Sequence, residues 1–344
     1  MTSDSTRDNN NSPYEISGTS IDGQLTSHHT LSDVVCAFPQ DEIVYAFGYG
    51  SGVFSQHLST SNSKGGILDI ILVVKDAVNF HNENLQRHPH HYASWLRASG
   101  ASTAAWMQRD FWLKDARVLF HVVDDPVPMK YGVVHQDDLY SDLTNWDCLY
   151  LAGRLHKPTL PILKPPDPFL DAQRVNLRAA VAAALLLLSL DDDSTSIMEI
   201  AWPTFYTRIA SLSYTGDFRM QIGGEDPMKI TKLVHSPGQL QRFHSLYRDD
   251  ALQPLQQLGI LDLVGEDHFR WHSSDLSARR YLWQQLPPRI RPLSPDVNAL
   301  AKGLAAIVSP AARNQSFKGI FTLGFRKSIQ YAGAKLSKGI FRRS

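Results

Sequence analysis

Two apolar runs of strand length dominate the first quarter of the chain, separated by a glycine-rich turn and a polar stretch. Ile43-Val44-Tyr45-Ala46-Phe47 feeds directly into Gly48-Tyr49-Gly50-Ser51-Gly52. The second run, Gly66-Ile67-Leu68-Asp69-Ile70-Ile71-Leu72-Val73-Val74, is β-branched and apolar on both faces, which predicts a strand at the centre of a sheet. A helix leading into a strand is expected over 31–46, and a helix broken near Pro89 over 81–96. Further strands are expected at 117–123 and 130–134. Residues 171–190, rich in Ala and Leu, form the strongest helical segment. Pro165, Pro166 and Pro168 just before it mark a domain boundary. Later helices are expected at 196–207, 228–234, 238–258 and 294–307. The longest apolar run, 179–188 with Ser189 and Leu190 beyond it, falls short of the roughly 20 residues that cross a bilayer. It reads as a buried helix.

Composition narrows the class. With 344 residues and 43% hydrophobic content the chain has enough apolar surface for two domains and is not mostly disordered. Lys+Arg and Asp+Glu balance at 34 each, so net charge selects no partner. Cys36 and Cys148 are far apart and provide neither a disulfide framework nor a zinc pattern, consistent with reduced thiols. The first 28 residues read as a polar, disordered leader. Asp4, Asp8, Glu15 and Asp22 against Arg7 are the opposite of a basic transit peptide.

Candidate chemistry lies where the two strands approach the glycine turn. Gly50 and Gly52 let backbone N–H groups close on an anion, and Ser51 adds a hydroxyl donor for a phosphate oxygen. No Gly-Lys-Ser/Thr follows, so this is not a Walker loop. Asp69 is a carboxylate in a run that wants to be buried, so it must be paired, protonated or metal-bound. Together the turn and the acid suit a polymerase-β-like nucleotidyltransferase, which holds phosphates on the turn and Mg²⁺ on carboxylates of the next strand. Such enzymes place a second acid at i+2, but here that position is Ile71. Asp76 at the strand end is the replacement, provided a bulge returns it to the same face. His81, His88, His90 and His91 invite a zinc reading, but their spacing fits no standard site and no cysteine is near.

The series of short motifs along the chain resembles the mitochondrial translocator assembly and maintenance family, the mitochondrial phosphatidate cytidylyltransferases. The likeness runs from Gly48-Tyr49-Gly50-Ser51-Gly52-Val53-Phe54 through Leu68-Asp69, His81 with Asn84-Leu85, and His91-Tyr92. It continues with Lys130-Tyr131-Gly132-Val133, Asn145-Trp146, Leu149-Tyr150-Leu151-Ala152-Gly153-Arg154-Leu155, Lys157-Pro158 and Leu212-Ser213-Tyr214. Gly216-Asp217-Phe218-Arg219-Met220, Gln315-Ser316 and Lys318-Gly319-Ile320-Phe321-Thr322 complete it. Lys75 and Phe80 depart from the family, which often has an acid and a Trp at these places. The resemblance implies an α/β (α+β) fold. A nucleotidyltransferase domain with a mixed sheet over 29–168 would precede a smaller helical, winged-helix-like domain over 169–310 and a tail over 311–344. It implies transfer of CMP from CTP to phosphatidic acid, giving CDP-diacylglycerol and pyrophosphate for cardiolipin synthesis, with Mg²⁺ as cofactor. It also implies a peripheral position on the matrix side of the mitochondrial inner membrane. Asp69 and Ser51 are then the catalytic candidates, and Asp69 with Asp76 the metal ligands. Gly50, Ser51, Gly52, Lys130, Arg154, Lys157, Arg219 and His81 are the candidate nucleotide and phosphate contacts.

Beyond Asp296 the chain has no acidic residue, while Lys302, Arg313, Lys318, Arg326, Lys327, Lys335, Lys338, Arg342 and Arg343 accumulate among bulky apolar residues. That mixture predicts a basic amphipathic segment on an anionic membrane surface, with a nucleic-acid patch or a plain basic tail as the alternative; no nucleic acid is expected as partner. A nucleotidyltransferase acting on RNA or protein and a non-catalytic membrane adaptor of the same fold are the alternative readings.

Overall fold

The protein is described by a computed structural model over residues 31–55, 67–112, 116–124, 127–189, 197–217, 228–292 and 295–323. The leader at 1–28, the tail beyond 323, Arg219 and the Ser51 side chain lie outside the described residues. Helix α1 (Leu31–Cys36) precedes strand β1 (Ile43–Tyr49), which passes into the six-residue helix α2 (Gly50–Ser55). Strand β2 (Leu68–Val74) leads to α3 (Ala77–Arg87), a 3-10 turn Pro89–His91, α4 (Ser94–Ser99) and α5 (Ala101–Arg109). Strands β3 (Val118–Val123) and β4 (Met129–His135), helices α6 (Gln136–Asn145) and α7 (Leu151–Leu155), and the short β5 (Leu160–Pro161) follow.

These strands form one five-stranded mixed sheet in the order β3-β4-β2-β1-β5. The doubly apolar β2 is central, parallel to β4 and antiparallel to β1. One face of the sheet, including Tyr45, Phe47, Ile71 and Phe120, shares a hydrophobic cluster with α8 (Asp167–Leu188), which is the helix expected at 171–190. The other face, including Ile70, Leu72 and Tyr131, packs with Val34, Val35 and Phe38 of the N-terminal segment.

After α8 the chain adds a three-stranded sheet, β6 (Met198–Ala201), β7 (Leu261–Val264) and β8 (His268–Trp271), in the order β6-β8-β7. Residues 196–207 are therefore not one helix. Met198–Ala201 pairs antiparallel with β8, and helix α9 (Trp202–Ser211) starts only after it. Helices Lys229–His235 and Gln239–Tyr247 lie between α9 and the β7–β8 hairpin. The helix expected over 238–258 is interrupted by a π turn at Arg248–Leu252, and the hairpin and Leu276–Gln285 are elements that the hydrophobic pattern does not announce.

The last helix, Val297–Leu323, runs through Pro310 and so bridges the expected division at 310/311 without a break. Its end returns to the first unit: Lys318 is fully buried and donates to the carbonyl of Gln108 on α5 at 3.1 Å. The hydrophobic cluster beneath the large sheet likewise continues through α8 and α9 to this helix, so one core serves both units.

Candidate functional site

Strand register builds the site. Tyr49, the last residue of β1, faces Asp69 across the antiparallel pair, and Asp69 is in register with Lys130 on β4. Directly paired residues share a sheet face, so Tyr49, Asp69 and Lys130 form a row at one end of the sheet. That face is the one covered by α8. Gly50 follows Tyr49 with φ +78°, a conformation that disfavours any Cβ, and a Cβ there would meet Asp69 Oδ2 at 3.1 Å. The turn and the acid, about eighteen residues apart in sequence, are thus neighbours in space. Asp69 is half-buried at this point, and Gly52 is buried in α2.

Arg154 closes the row from α7. Its guanidinium lies 3.8 Å from the centroid of the Tyr49 ring, a cation–π stack, while its Nε is buried with no hydrogen-bond partner among the described residues. Burial opposes its charge, yet Tyr49, Tyr150, Tyr214 and Asp69 together hold its pKa above the ordinary value. Tyr49 is pushed up in turn, chiefly by burial and also by the neighbouring Asp69 carboxylate, against the opposing charge of Arg154. A half-buried cation whose buried Nε has no partner among the described residues, beside a half-buried acid, is an anion-receiving arrangement. Arg154→Lys should remove the stack and the planar fork together. A loss of roughly 10–100-fold in turnover at unchanged melting temperature is expected, measured by steady-state kinetics and a thermal melt.

Lys157 is braced rather than projecting. Its Nζ donates to Gly153 O at 2.6 Å and Ser213 Oγ at 2.7 Å, and lies 4.9 Å from the Tyr214 ring centroid. A Cβ at Gly153 would collide with Ser213 Cβ, so glycine is what lets α7 touch the Leu212–Tyr214 turn. Lys130 sits 4.3 Å from the Phe120 ring centroid on the same face as Asp69.

What positions Arg154 is a residue that no sequence motif singles out. The Asp142 carboxylate, 5% exposed, accepts from Cys148 N (3.0 Å) and Leu149 N (2.8 Å) on Oδ1, and from Leu151 N (3.0 Å) and Ala152 N (2.9 Å) on Oδ2. The last two are the first residues of α7. Burial pushes the Asp142 pKa up, against the N–H groups of Ala152, Cys148 and Leu149 that favour its charged form. The loop it organises contains Trp146 at φ 52° and Leu149 at φ 56°, left-handed positions for bulky residues. Asn176 of α8 supports the same loop, accepting from Trp146 Nε1 at 2.9 Å and donating to Ala152 O at 3.1 Å.

Two expected site residues lie elsewhere. Asp76 caps α3, its Oδ1 accepting from Asn79 N at 2.8 Å. It follows the opposite end of β2 from Asp69, about 20 Å away at 3.3 Å per residue. The strand runs regularly from Asp69 to Val74 against β4, with no bulge to return Asp76, so the two acids do not share a cation. His81 is fully buried, with Nδ1 2.9 Å from Tyr92 Oη and Nε2 2.9 Å from Gln108 Oε1. Burial lowers its pKa to about 4, against the opposing effect of the Gln108 bond. Both its nitrogens are engaged beside a Tyr92–Asn84–Tyr131 network, so the structure places His81 in the packing behind the sheet rather than beside Asp69 and the Gly50 turn.

Comparison with known proteins adds an independent line. The family described as "Phosphatidate cytidylyltransferase, mitochondrial" matches residues 31–293. A Caenorhabditis briggsae protein of that name is 32% identical over 89% of this chain and 97% of its own length. The Bos taurus protein of the same name is 34% identical over 89% of this chain and 92% of its own. The Schizosaccharomyces pombe protein is 32% identical over 90% and 83%.

Proposed function

The chain belongs to the mitochondrial phosphatidate cytidylyltransferase family, and from that premise we propose that it transfers CMP from CTP to phosphatidic acid, releasing pyrophosphate and CDP-diacylglycerol. The observation that carries the reading is the meeting of Asp69, the Gly50 turn and Arg154 at one end of the central strand. Finer structural likenesses agree with it. A mixed sheet with a glycine turn at β1 and an acid on β2 suits a polymerase-β-like nucleotidyltransferase. Helices followed by the β7–β8 hairpin suit a winged-helix-like second unit.

In this proposal the N–H groups of the Gly50 turn and the Arg154 guanidinium receive the triphosphate, while Lys130 adds positive charge on the same sheet face. Lys157, fixed to Ser213, holds α7 against the second unit and so orients Arg154. A phosphate oxygen of phosphatidic acid displaces pyrophosphate at the α-phosphorus, a step governed by alignment and charge neutralisation. Asp69 is the residue we assign to Mg²⁺. One half-buried carboxylate oxygen pair beside an anion-receiving turn fits a cation that takes one or two carboxylates and completes its shell with water and phosphate oxygens. When bound, Mg²⁺ supplies neutralisation of the phosphate charge. Purified protein incubated with CTP, Mg²⁺ and phosphatidic acid should yield CDP-diacylglycerol by mass spectrometry. Recovery of both substrates unchanged would refute the reading.

A lipid substrate requires a docking surface, and we assign it to the chain's C-terminal end. No helix among the described residues is long and apolar enough to cross a membrane. Phe317 and Phe321 are 54% and 50% exposed on the last helix, next to Trp112 and Trp95, 36% and 42% exposed. Phe317 is 6.0 Å from Trp112 by ring centroids, and Trp95 Nε1 donates to Phe321 O at 3.0 Å. Aromatic rings with polar edges suit headgroup depth, and the basic run that follows supplies attraction to anionic lipid. We place the surface on the matrix side of the mitochondrial inner membrane, where the product would feed cardiolipin synthesis. Deleting residues 326–344 should reduce co-sedimentation with anionic liposomes severalfold and leave binding to neutral ones little changed. Equal sedimentation of both proteins with anionic liposomes would remove the assignment.

A further inference from the structure

Three histidines that take no part in the proposed reaction meet just after α3. His88 is the C-terminal cap of that helix, and Pro89, His90 and His91 make one turn of 3-10 helix. In sequence the His-Pro-His-His run matches no standard zinc spacing, which by itself argues against a metal. Folding nevertheless gathers the three rings. Proline at the first position presets its backbone angle for the turn, and one ring nitrogen from each of His88, His90 and His91 comes within 4.8 Å of the others.

For His88 and His91 the other ring nitrogen is engaged by the fold, as it commonly is in metal-bound imidazoles. His88 Nε2 is 2.9 Å from the Ala37 carbonyl oxygen. That oxygen only accepts, so Nε2 carries the proton and Nδ1 keeps its lone pair. His91 Nδ1 is 3.0 Å from Tyr131 Oη, which leaves Nε2 as its ligating atom. His90 stands across both partners, with its ring at 82° to His91 and 85° to His88.

We propose that His88, His90 and His91 form a binding site for a divalent transition-metal ion of the zinc class, with water in the fourth position. Zn–N bonds of 2.0–2.1 Å set donor atoms roughly 3.4 Å apart in a tetrahedron. Exposed His90 and half-buried His88 have the freedom to close from 4.8 Å. Because His88 and His91 now lie nearly parallel, at 9° and 4.7 Å, it is the His88 ring that turns on binding. An all-imidazole donor set favours zinc, copper or nickel over magnesium and calcium, so this site is chemically distinct from Asp69. Its ion would tie the end of α3, through the His91 Nδ1 contact, to Tyr131 on β4. The role that follows is cross-linking of the sheet's outer layer.

The test uses the full chain stripped with a chelator and titrated with Zn²⁺ in excess Mg²⁺, by calorimetry and by thermal melt. One Zn²⁺ per chain that Mg²⁺ does not displace is expected, together with a rise in melting temperature. In the double variant His88→Ala/His90→Ala, affinity should fall at least about tenfold and the zinc-dependent rise should vanish. Its metal-free melt should stay near that of the parent, since neither side chain is buried. A double variant that binds Zn²⁺ as tightly as the parent, or a parent that binds none in the micromolar range, overturns the proposal.

Discussion

Asp69→Asn is expected to lower kcat/KM for cytidylyl transfer roughly a thousandfold, about 4 kcal/mol of transition-state stabilisation. The substitution keeps the shape of a half-buried side chain, so the melting temperature should change little. What disappears is the negative charge beside the Gly50 turn, and with it the anchor for a hard cation. Asp76→Asn provides the contrast. Its side chain caps α3 at the other end of β2, and an Asn oxygen caps nearly as well, so it should change stability little and leave turnover nearly intact.

Asp142→Ala is expected to act on the fold first. Four backbone N–H groups lose their acceptor inside a buried loop, at about 1–3 kcal/mol for each that water cannot reach. A loss of about 4 kcal/mol, or roughly 6 °C in melting temperature for a chain of 344 residues, follows even if half of them are rescued by water. Activity should fall further than stability explains at a temperature where the variant is folded, because α7 carries Arg154 and begins at two of those N–H groups. Asn at 142 should not rescue, since its amide NH₂ would face donors. A thermal melt with turnover measured on the folded fraction separates the two effects.

The sequence carried the central strand, the glycine turn and the isolated acid because each is a local signal: β-branched density, Gly-Ser-Gly, and a charge where none belongs. It did not carry the Tyr49–Asp69–Lys130 row, which depends on register between strands far apart in the chain. The expectation for Asp76 failed for the same reason. A period-two argument needs the strand to end irregularly, whereas hydrogen bonding to β4 keeps it regular through Val74 and the following residues turn into α3. Met198–Ala201 lacks strand composition apart from Ile200 and is a strand only because β8 pairs with it. His81 shows the limit of motif matching: the match names the residue, but burial and two hydrogen bonds decide that it packs. Asp142 is an ordinary acid within an amphipathic helix until the loop folds over it.

The charge at Asp69 makes the sharpest claim accessible to a binding measurement. Mn²⁺ in place of Mg²⁺ can be followed by electron paramagnetic resonance as CTP is added to the parent, Asp69→Asn and Asp76→Asn proteins. Formation of a CTP-dependent bound Mn²⁺ signal in the parent and Asp76→Asn, and its loss in Asp69→Asn, is the predicted result. An undiminished signal in Asp69→Asn would contradict the account.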